Sequence, residues 1–337
     1  METTLGEGSV AVVYRARHPR DGTTHALKVL KSTEERSVER TLQEARVLAR
    51  LQHRNIVGIT DFVTVGGRAT LVMEYVEGGT LTALLRHARL TPDQVDHLVM
   101  GVLRGVMAAH DQRVVHRDLK PDNILLAIEG DTLVPKLSDF GLAKVRHSPG
   151  HHGPRTLSGT TMGSPAYMAP EQYEDAGEVD ERADLFACGA IFFELLAGER
   201  AYPGRDPMRL YRDMLAETRP SLPPGLPDRM VRALSAALAP NPAHRPASAA
   251  ALLDLWFDGV PFPAPEPFDP DLLERMLAEG RGSLDDTLTP LEDATVVRPR
   301  AGRSLHVPAL VVVMGLAAAV VGMAAGLLTV VLGALLA

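Results

Sequence analysis

The sequence predicts an α+β protein of two lobes: a small antiparallel β-sheet lobe carrying one helix, then a larger, mainly helical lobe, with an apolar transmembrane helix at the end of the chain. Three observations carry that prediction. Short strand-like runs separated by glycine turns fill the first 76 residues. Helical periodicity and a capping signal take over from Gly78 onward. The last stretch, residues 307–337, holds no Asp, Glu, Lys, Arg, His, Asn or Gln over 31 positions, more than the roughly 20 apolar residues that span a bilayer as a helix.

In chain order, residues 11–16 and 25–30 read as strands with Asp21-Gly22 supplying the turn between them. Val38, Leu42, Ala45, Leu48 and Leu51 then recur at three- and four-residue spacing and mark one amphipathic helix. Strand character resumes over residues 56–65 and 69–75, around Gly66-Gly67. Next, Thr91-Pro92-Asp93-Gln94 combines a capping box with proline at the first helical position and opens a helix to about His110. The run Arg182–Ala197 is apolar nearly all round, which predicts a buried helix.

Residues 259–306 hold Pro261, Pro263, Pro265, Pro267 and Pro270, then Gly280, Gly282 and acidic Ser/Thr stretches, a linker composition with one short helix at about 269–277. The expected organisation is a small lobe over 1–76, a large lobe over 77–258, a Pro-rich acidic juxtamembrane linker over 259–306 and the membrane helix over 307–337. Arg298, Arg300 and Arg303 directly precede the apolar run, so the positive-inside bias puts that flank, and the lobes before it, in the cytoplasm of a single-pass protein of the cell membrane. The start, METTLGEGS, carries no signal-peptide pattern. Gly315, Gly322, Gly326 and Gly333 share one face of the membrane helix, a face able to pair two copies into a homodimer.

Composition narrows the function. A net charge of −7 excludes a nucleic-acid binder driven by positive charge. The single cysteine, Cys188, excludes an intrachain disulfide and a four-cysteine zinc site, and reads as a small core filler in a reducing cytosol.

Three segments can carry chemistry. Gly6-Glu7-Gly8-Ser9-Val10-Ala11 is a turn between strands whose glycines let backbone N–H groups approach phosphate oxygens, and strand rather than helix follows it, unlike a dinucleotide-binding fingerprint. Lys28, flanked by apolar residues in Ala26-Leu27-Lys28-Val29, can hold a charged ligand over an apolar floor; an exposed edge lysine is the simpler alternative. His116-Arg117-Asp118-Leu119-Lys120-Pro121-Asp122-Asn123 gathers a carboxylate, an ammonium and an amide in one proline-containing loop. With Ser138-Asp139-Phe140-Gly141 downstream, Asn123 and Asp139 offer the hard oxygen donors that Mg²⁺ prefers.

Together and in this order these motifs resemble the eukaryotic-like (Hanks-type) serine/threonine protein kinases of bacteria, over residues 5–257. The resemblance implies a two-lobed kinase fold, ATP and Mg²⁺ (or Mn²⁺ in its place) as cofactors, and protein Ser/Thr hydroxyls as substrates. It implies that Gly6 and Gly8 cover the phosphates, that Val13, Ala26 and Leu125 sandwich adenine, and that Lys28, paired with Glu44, holds the α/β-phosphates. Met73 would be the gatekeeper, and the backbone of Glu74 and Val76 would meet adenine. Asp118 takes the role of catalytic base, with Lys120 beside the γ-phosphate and Asn123 and Asp139 on the metal. Glu171 of Ala169-Pro170-Glu171 would pair with Arg245, and Asp184 would anchor the catalytic loop; these roles are structural. Arg117 invites an activation-segment phosphate, with Thr160 and Thr161 the foremost acceptors.

Two departures from the pattern stand out. Ala11 occupies the place of the third loop glycine, and only five residues precede Gly6, which predicts a shortened first strand and a chain that begins late. Two rival functions are weighed: a pseudokinase that binds nucleotide as a scaffold, which lacks its usual signature because lysine, base and metal ligands are all present, and a small-molecule phosphotransferase, disfavoured by Ala-Pro-Glu and the Gly163-Ser164-Pro165 substrate platform.

Overall fold

The computed structural model describes residues 3–8, 10–18, 21–32, 45, 47–65, 67–140, 165–174, 179–264 and 266–282. Five strands form the first sheet: β1 (Thr3–Glu7), β2 (Ala11–Arg17), β3 (Thr24–Leu30), β4 (Ile59–Val65) and β5 (Arg68–Glu74), in the order β1-β2-β3-β5-β4 with every neighbouring pair antiparallel. The β2–β3 turn uses Gly22 at φ 73°, the left-handed region that glycine occupies without a Cβ penalty. Gly6 and Glu7 belong to β1 rather than to the turn, which is confined to the residues before Ala11 and closed by the Gly8 N–H donating to Ala11 O at 2.9 Å. Ala45, on a helical segment with Val47 and Leu48, is buried against the sheet residues Ala11, Leu30, Ala69 and Leu71.

Strand β4 starts at Ile59, three residues later than the apolar pattern suggested. The reason is competition from the second lobe. Val57 N–H donates to Leu137 O and Leu137 N–H donates to Asn55 O, both at 2.9 Å, so the backbone of residues 55–57 is spent outside the first sheet.

In the larger lobe, α1 (Leu81–His87) is capped by Thr80, and α2 (Pro92–Asp111) opens with the capping box read from the sequence: Gln94 N–H donates to Thr91 Oγ1 and Thr91 N–H to Gln94 Oε1. Strands β6 (Ile124–Glu129) and β7 (Thr132–Leu137) make an antiparallel hairpin turned by Gly130. Then follow α3 (Pro170–Glu174), α4 (Arg182–Ala197), α5 (Pro207–Leu215), α6 (Asp228–Ala237) and α7 (Ala249–Phe257). Helix α4 is buried around its whole circumference for most of its length, as its uninterrupted apolar composition requires, and Cys188 lies in its centre. Asp96 on α2 gathers α6 and α7 around itself: its carboxylate accepts the Arg229 guanidinium through both oxygens and the Trp256 indole N–H at 2.6 Å.

Beyond α7 the structure departs from the linker expectation. Residues 266–276 pack onto the lobe, and α8 (Pro270–Gly282) runs five residues past the end of the helix expected at 269–277. Phe268, Leu272, Leu273 and Met276 are buried and continuous with the main core. The prolines that suggest a linker set an extended path across the lobe instead. No helix among the described residues is long and apolar enough to cross a membrane, and the span expected at 307–337 lies outside them, as do Arg298, Arg300 and Arg303.

Candidate active site

Strand β3 runs inside the sheet, with Lys28 opposite Val13 on one side and Leu71 on the other, so the edge alternative is excluded. Its Nζ donates to Asp139 Oδ1 at 2.7 Å. Asp139 follows β7 with φ 57°, a left-handed conformation that costs energy in a non-glycine residue and is characteristic of functional turns. Ser138 fixes that turn: its N–H and its Oγ both donate to Asn123 O, at 2.9 and 3.1 Å. The Asp139 segment is thereby tied to the loop of residues 116–123.

In that loop Asp118, Lys120 and Asn123 form one knot. Lys120 Nζ donates to Asp118 Oδ2 at 3.2 Å, and Asn123 Nδ2 donates to Asp118 O at 2.8 Å and to Oδ2 at 3.1 Å. With its nitrogen committed to Asp118, the Asn123 amide keeps its oxygen as the group able to ligate a cation. Asn123 and Asp139 therefore fit a magnesium ion, which takes few protein oxygens and fills its remaining positions with water and phosphate.

The loop hangs from α4. Asp184, 1% exposed, accepts three donors: His116 N–H at 2.7 Å, Arg117 N–H at 2.8 Å and His110 Nε2 at 2.9 Å. Arg117 adopts φ 63° to present its N–H there, while its carbonyl accepts Gln172 Nε2 at 3.1 Å. Asp118 N–H donates to His116 Nδ1 at 3.3 Å, which assigns the ring proton to Nε2, facing Ser138 O at 2.8 Å. Burial holds the His116 pKa below its ordinary 6.5, so the ring is a neutral spacer, packed 4.5 Å from Phe140 between the catalytic loop and the Asp139 turn.

The residues implied to meet nucleotide sit on the facing strands. Gly6 is paired with Val13 across β1–β2, and a Cβ built on Gly6 would meet nothing within 4 Å, an open approach of the kind a phosphate needs. Ala26 pairs with Met73 across β3–β5, and Met73 lines a small interior cavity with Lys28, Leu71 and Phe140. Leu125 lies on β6 and forms a bridge with Thr80, directly beyond the segment that carries Glu74 and Val76. The Glu74 side chain is engaged elsewhere, accepting Lys136 Nζ at 2.9 Å and Gly58 N–H at 3.2 Å.

The structural pair is complete. Arg245, 4% exposed, meets Glu171 through two parallel bonds of 2.6 and 2.8 Å. Its other donors reach Ala239 O, Arg182 O and Pro240 O, and the guanidinium stacks 4.9 Å over Phe186. Glu44, Thr160 and Thr161 lie outside the described residues, so their expected roles have no geometry here.

Three contributors escaped the sequence reading. His110 is the third donor to Asp184, legible only as a histidine on the last turn of α2. Lys136 holds the Glu74 carboxylate from β7. Tyr167 donates to Glu194 Oε2 at 2.5 Å, where burial, ahead of the neighbouring charge, raises both groups above their ordinary values.

A family model described as a protein kinase domain matches residues 1–257. The serine/threonine-protein kinase PknL of Mycobacterium tuberculosis is 35% identical over 259 residues, 75% of this chain and 63% of that protein. The serine/threonine-protein kinase pkn3 of Myxococcus xanthus is 36% identical over 262 residues, 74% and 48% respectively. ATG1c of Arabidopsis thaliana, also a serine/threonine-protein kinase, is 33% identical over 222 residues, 65% and 29%. The chain thus spans less than two thirds of the length of these curated relatives.

Proposed function

This chain belongs to the protein kinase family, and from that premise we propose that it is a serine/threonine kinase that transfers the γ-phosphate of ATP to protein hydroxyls. The observation that carries the reading is the Asp118 carboxylate, held by Lys120 and Asn123 and joined through Ser138 to the Lys28–Asp139 pair. In the proposed step the substrate hydroxyl oxygen forms the bond to phosphorus, the bond to the ADP oxygen breaks, and the hydroxyl proton passes to Asp118. Lys120, already bound to Asp118, meets charge on the transferred group, and Lys28 orients the remaining phosphates. Asn123 and Asp139 would hold magnesium, which when bound would neutralise phosphate charge. Lys120 in His-Arg-Asp-Leu-Lys-Pro supports serine and threonine as acceptors.

The uncharged run of residues 307–337 and the three arginines before it support single-pass anchoring with the kinase in the cytoplasm, and the glycine face supports pairing of two copies. Control by phosphorylation of Thr160 or Thr161 belongs to the same proposal. The test is Mg²⁺-dependent transfer from radiolabelled ATP, with Asp118→Asn and Lys28→Met as controls and the modified residues mapped. Labelling of wild type alone supports the kinase; ATP binding without any transfer establishes the scaffold alternative.

A further inference from the structure

The family match ends at residue 257, yet the chain goes on being part of the folded lobe for some twenty residues. The added segment is stitched down at three places. Thr91 Oγ1 donates to Glu266 Oε2 at 3.3 Å and Gln94 Nε2 to Pro267 O at 3.2 Å, at the start of α2. Phe268 N–H donates to Asp131 O at 2.8 Å, at the tip of the β6–β7 hairpin, and the Phe268 ring is buried. Helix α8 then packs along α1, with Met276 fully buried.

What α8 touches matters more than how much it buries. A Cβ built on Gly79 would lie 3.8 Å from Met276 O, so the backbone of α8 abuts the turn that leaves the Glu74–Val76 segment. On its other side that turn is pressed against β6: a Cβ on Gly78 would fall 2.1 Å from Leu126 O, and Leu126 N–H donates to Gly79 O at 3.0 Å. Thr80 bridges to Leu125 and caps α1. Residues 78–80 are therefore held between β6, which carries the adenine-floor residue Leu125, and a helix from outside the family domain.

We propose that residues 266–276 are a strap that positions the nucleotide site, with Met276 as the positioning residue that holds the turn at Gly78-Gly79 and, through it, the backbone of Glu74 and Val76. The functional catalytic unit ends near residue 282. Loosening the strap weakens nucleotide binding while leaving the catalytic loop, which hangs from α4, in place. For the identity of the ligand the proposal rests on the kinase reading; the backbone of residues 76–87 reports on it independently of any nucleotide.

The experiment compares wild-type full chain with Met276→Ala, the conservative Met276→Leu and the milder Asp269→Ala. The last removes an exposed acceptor that caps α8 through Asp271 N–H at 3.0 Å and so stays foldable if Met276→Ala does not accumulate. Amide hydrogen exchange is read first, then binding of a fluorescent ATP analogue and turnover kinetics. In Met276→Ala, exchange over residues 76–87 accelerates about tenfold and KM for ATP rises about fivefold with kcat held within about twofold; Asp269→Ala moves the same quantities less, and Met276→Leu restores them. Exchange unchanged over 76–87 overturns the proposal, and so does a uniform loss of protection across the large lobe with unaltered KM, because a merely structural helix does that. If wild type fails to bind the analogue, the kinase reading falls, and the exchange result alone decides the strap.

Discussion

Replacing Arg245 by lysine keeps the charge opposite Glu171 and yet should be severely destabilising. Arginine offers five N–H donors, and all five are used: two on Glu171 and one each on Ala239 O, Arg182 O and Pro240 O. Lysine offers three, so at least two of these part-buried acceptors lose their protein partner. A lost bond to the carboxylate costs about 1.5–3 kcal/mol and an orphaned buried carbonyl about 1–3 kcal/mol. The planar stack on Phe186 adds about 0.5–1 kcal/mol to the loss. Acceptors are shared and the cavity relaxes, so the total lands at about 3–5 kcal/mol, the range for breaking a buried ion pair. For a domain of this size that lowers Tm by about 6–15 °C. The chain has one tryptophan, Trp256, fully buried beside α4, so its emission follows unfolding of the large lobe without added probes. An Arg245→Lys protein whose Tm lies within about 2 °C of wild type would refute the donor count as the source of the stability.

Asp184→Asn tests the anchor of the catalytic loop: one of three donors then faces an NH₂ group, and kcat should fall at least about tenfold while the protein remains folded, measured as turnover beside Trp256 emission. Acidification should also destabilise the fold. His53, His97 and His116 are each held below 6.5, first of all by burial, so below pH 6.5 the unfolded chain binds more protons than the folded one. Stability is full above that value, falls by up to about 1.4 kcal/mol per pH unit for each histidine as pH drops, and levels off below the folded pKa values; His97→Phe should reduce the slope in denaturant titrations between pH 7.5 and 5. Gly78→Ala should separate the turn from β6, because its Cβ would sit 2.1 Å from Leu126 O; a Tm loss together with a rise in KM for ATP is the expected pair, and unchanged values for both would mean that the turn has room.

Much of the site was legible because phosphoryl transfer uses short, contiguous motifs whose residues act through local backbone geometry. Asp118, Lys120 and Asn123 lie within six positions, and the structure ties them together much as that compactness implies. Local signals for elements also carried well: the Thr91–Gln94 box opens α2 where the sequence puts it, and the apolar run Arg182–Ala197 is the buried α4. What escaped was decided at long range. Asp96 looks like any polar residue on an amphipathic helix, since its partners Arg229 and Trp256 lie more than a hundred residues away. Residues 56–58 read as strand until the second lobe's Leu137 claims the hydrogen bonds of Val57 N–H and Asn55 O. The helix at 269–277 was legible within the proline-rich stretch, but its packing was not: composition indicates a linker, and only tertiary structure shows Leu272, Leu273 and Met276 buried against the lobe.

Helix α4 also works as a gauge of length. Its polar side chains with functional contacts, Asp184 and Glu194, are ten residues apart, about 15 Å along the axis. The first suspends the loop that carries Asp118, the proposed base; the second holds Tyr167. The spacing between the loop of Asp118 and the turn of Tyr167 is thereby written into the pitch of a single rod with no exposed face to bend toward solvent. A one-residue insertion in α4 would rotate its far end by about 100° and dismount Tyr167, even with every reactive group intact.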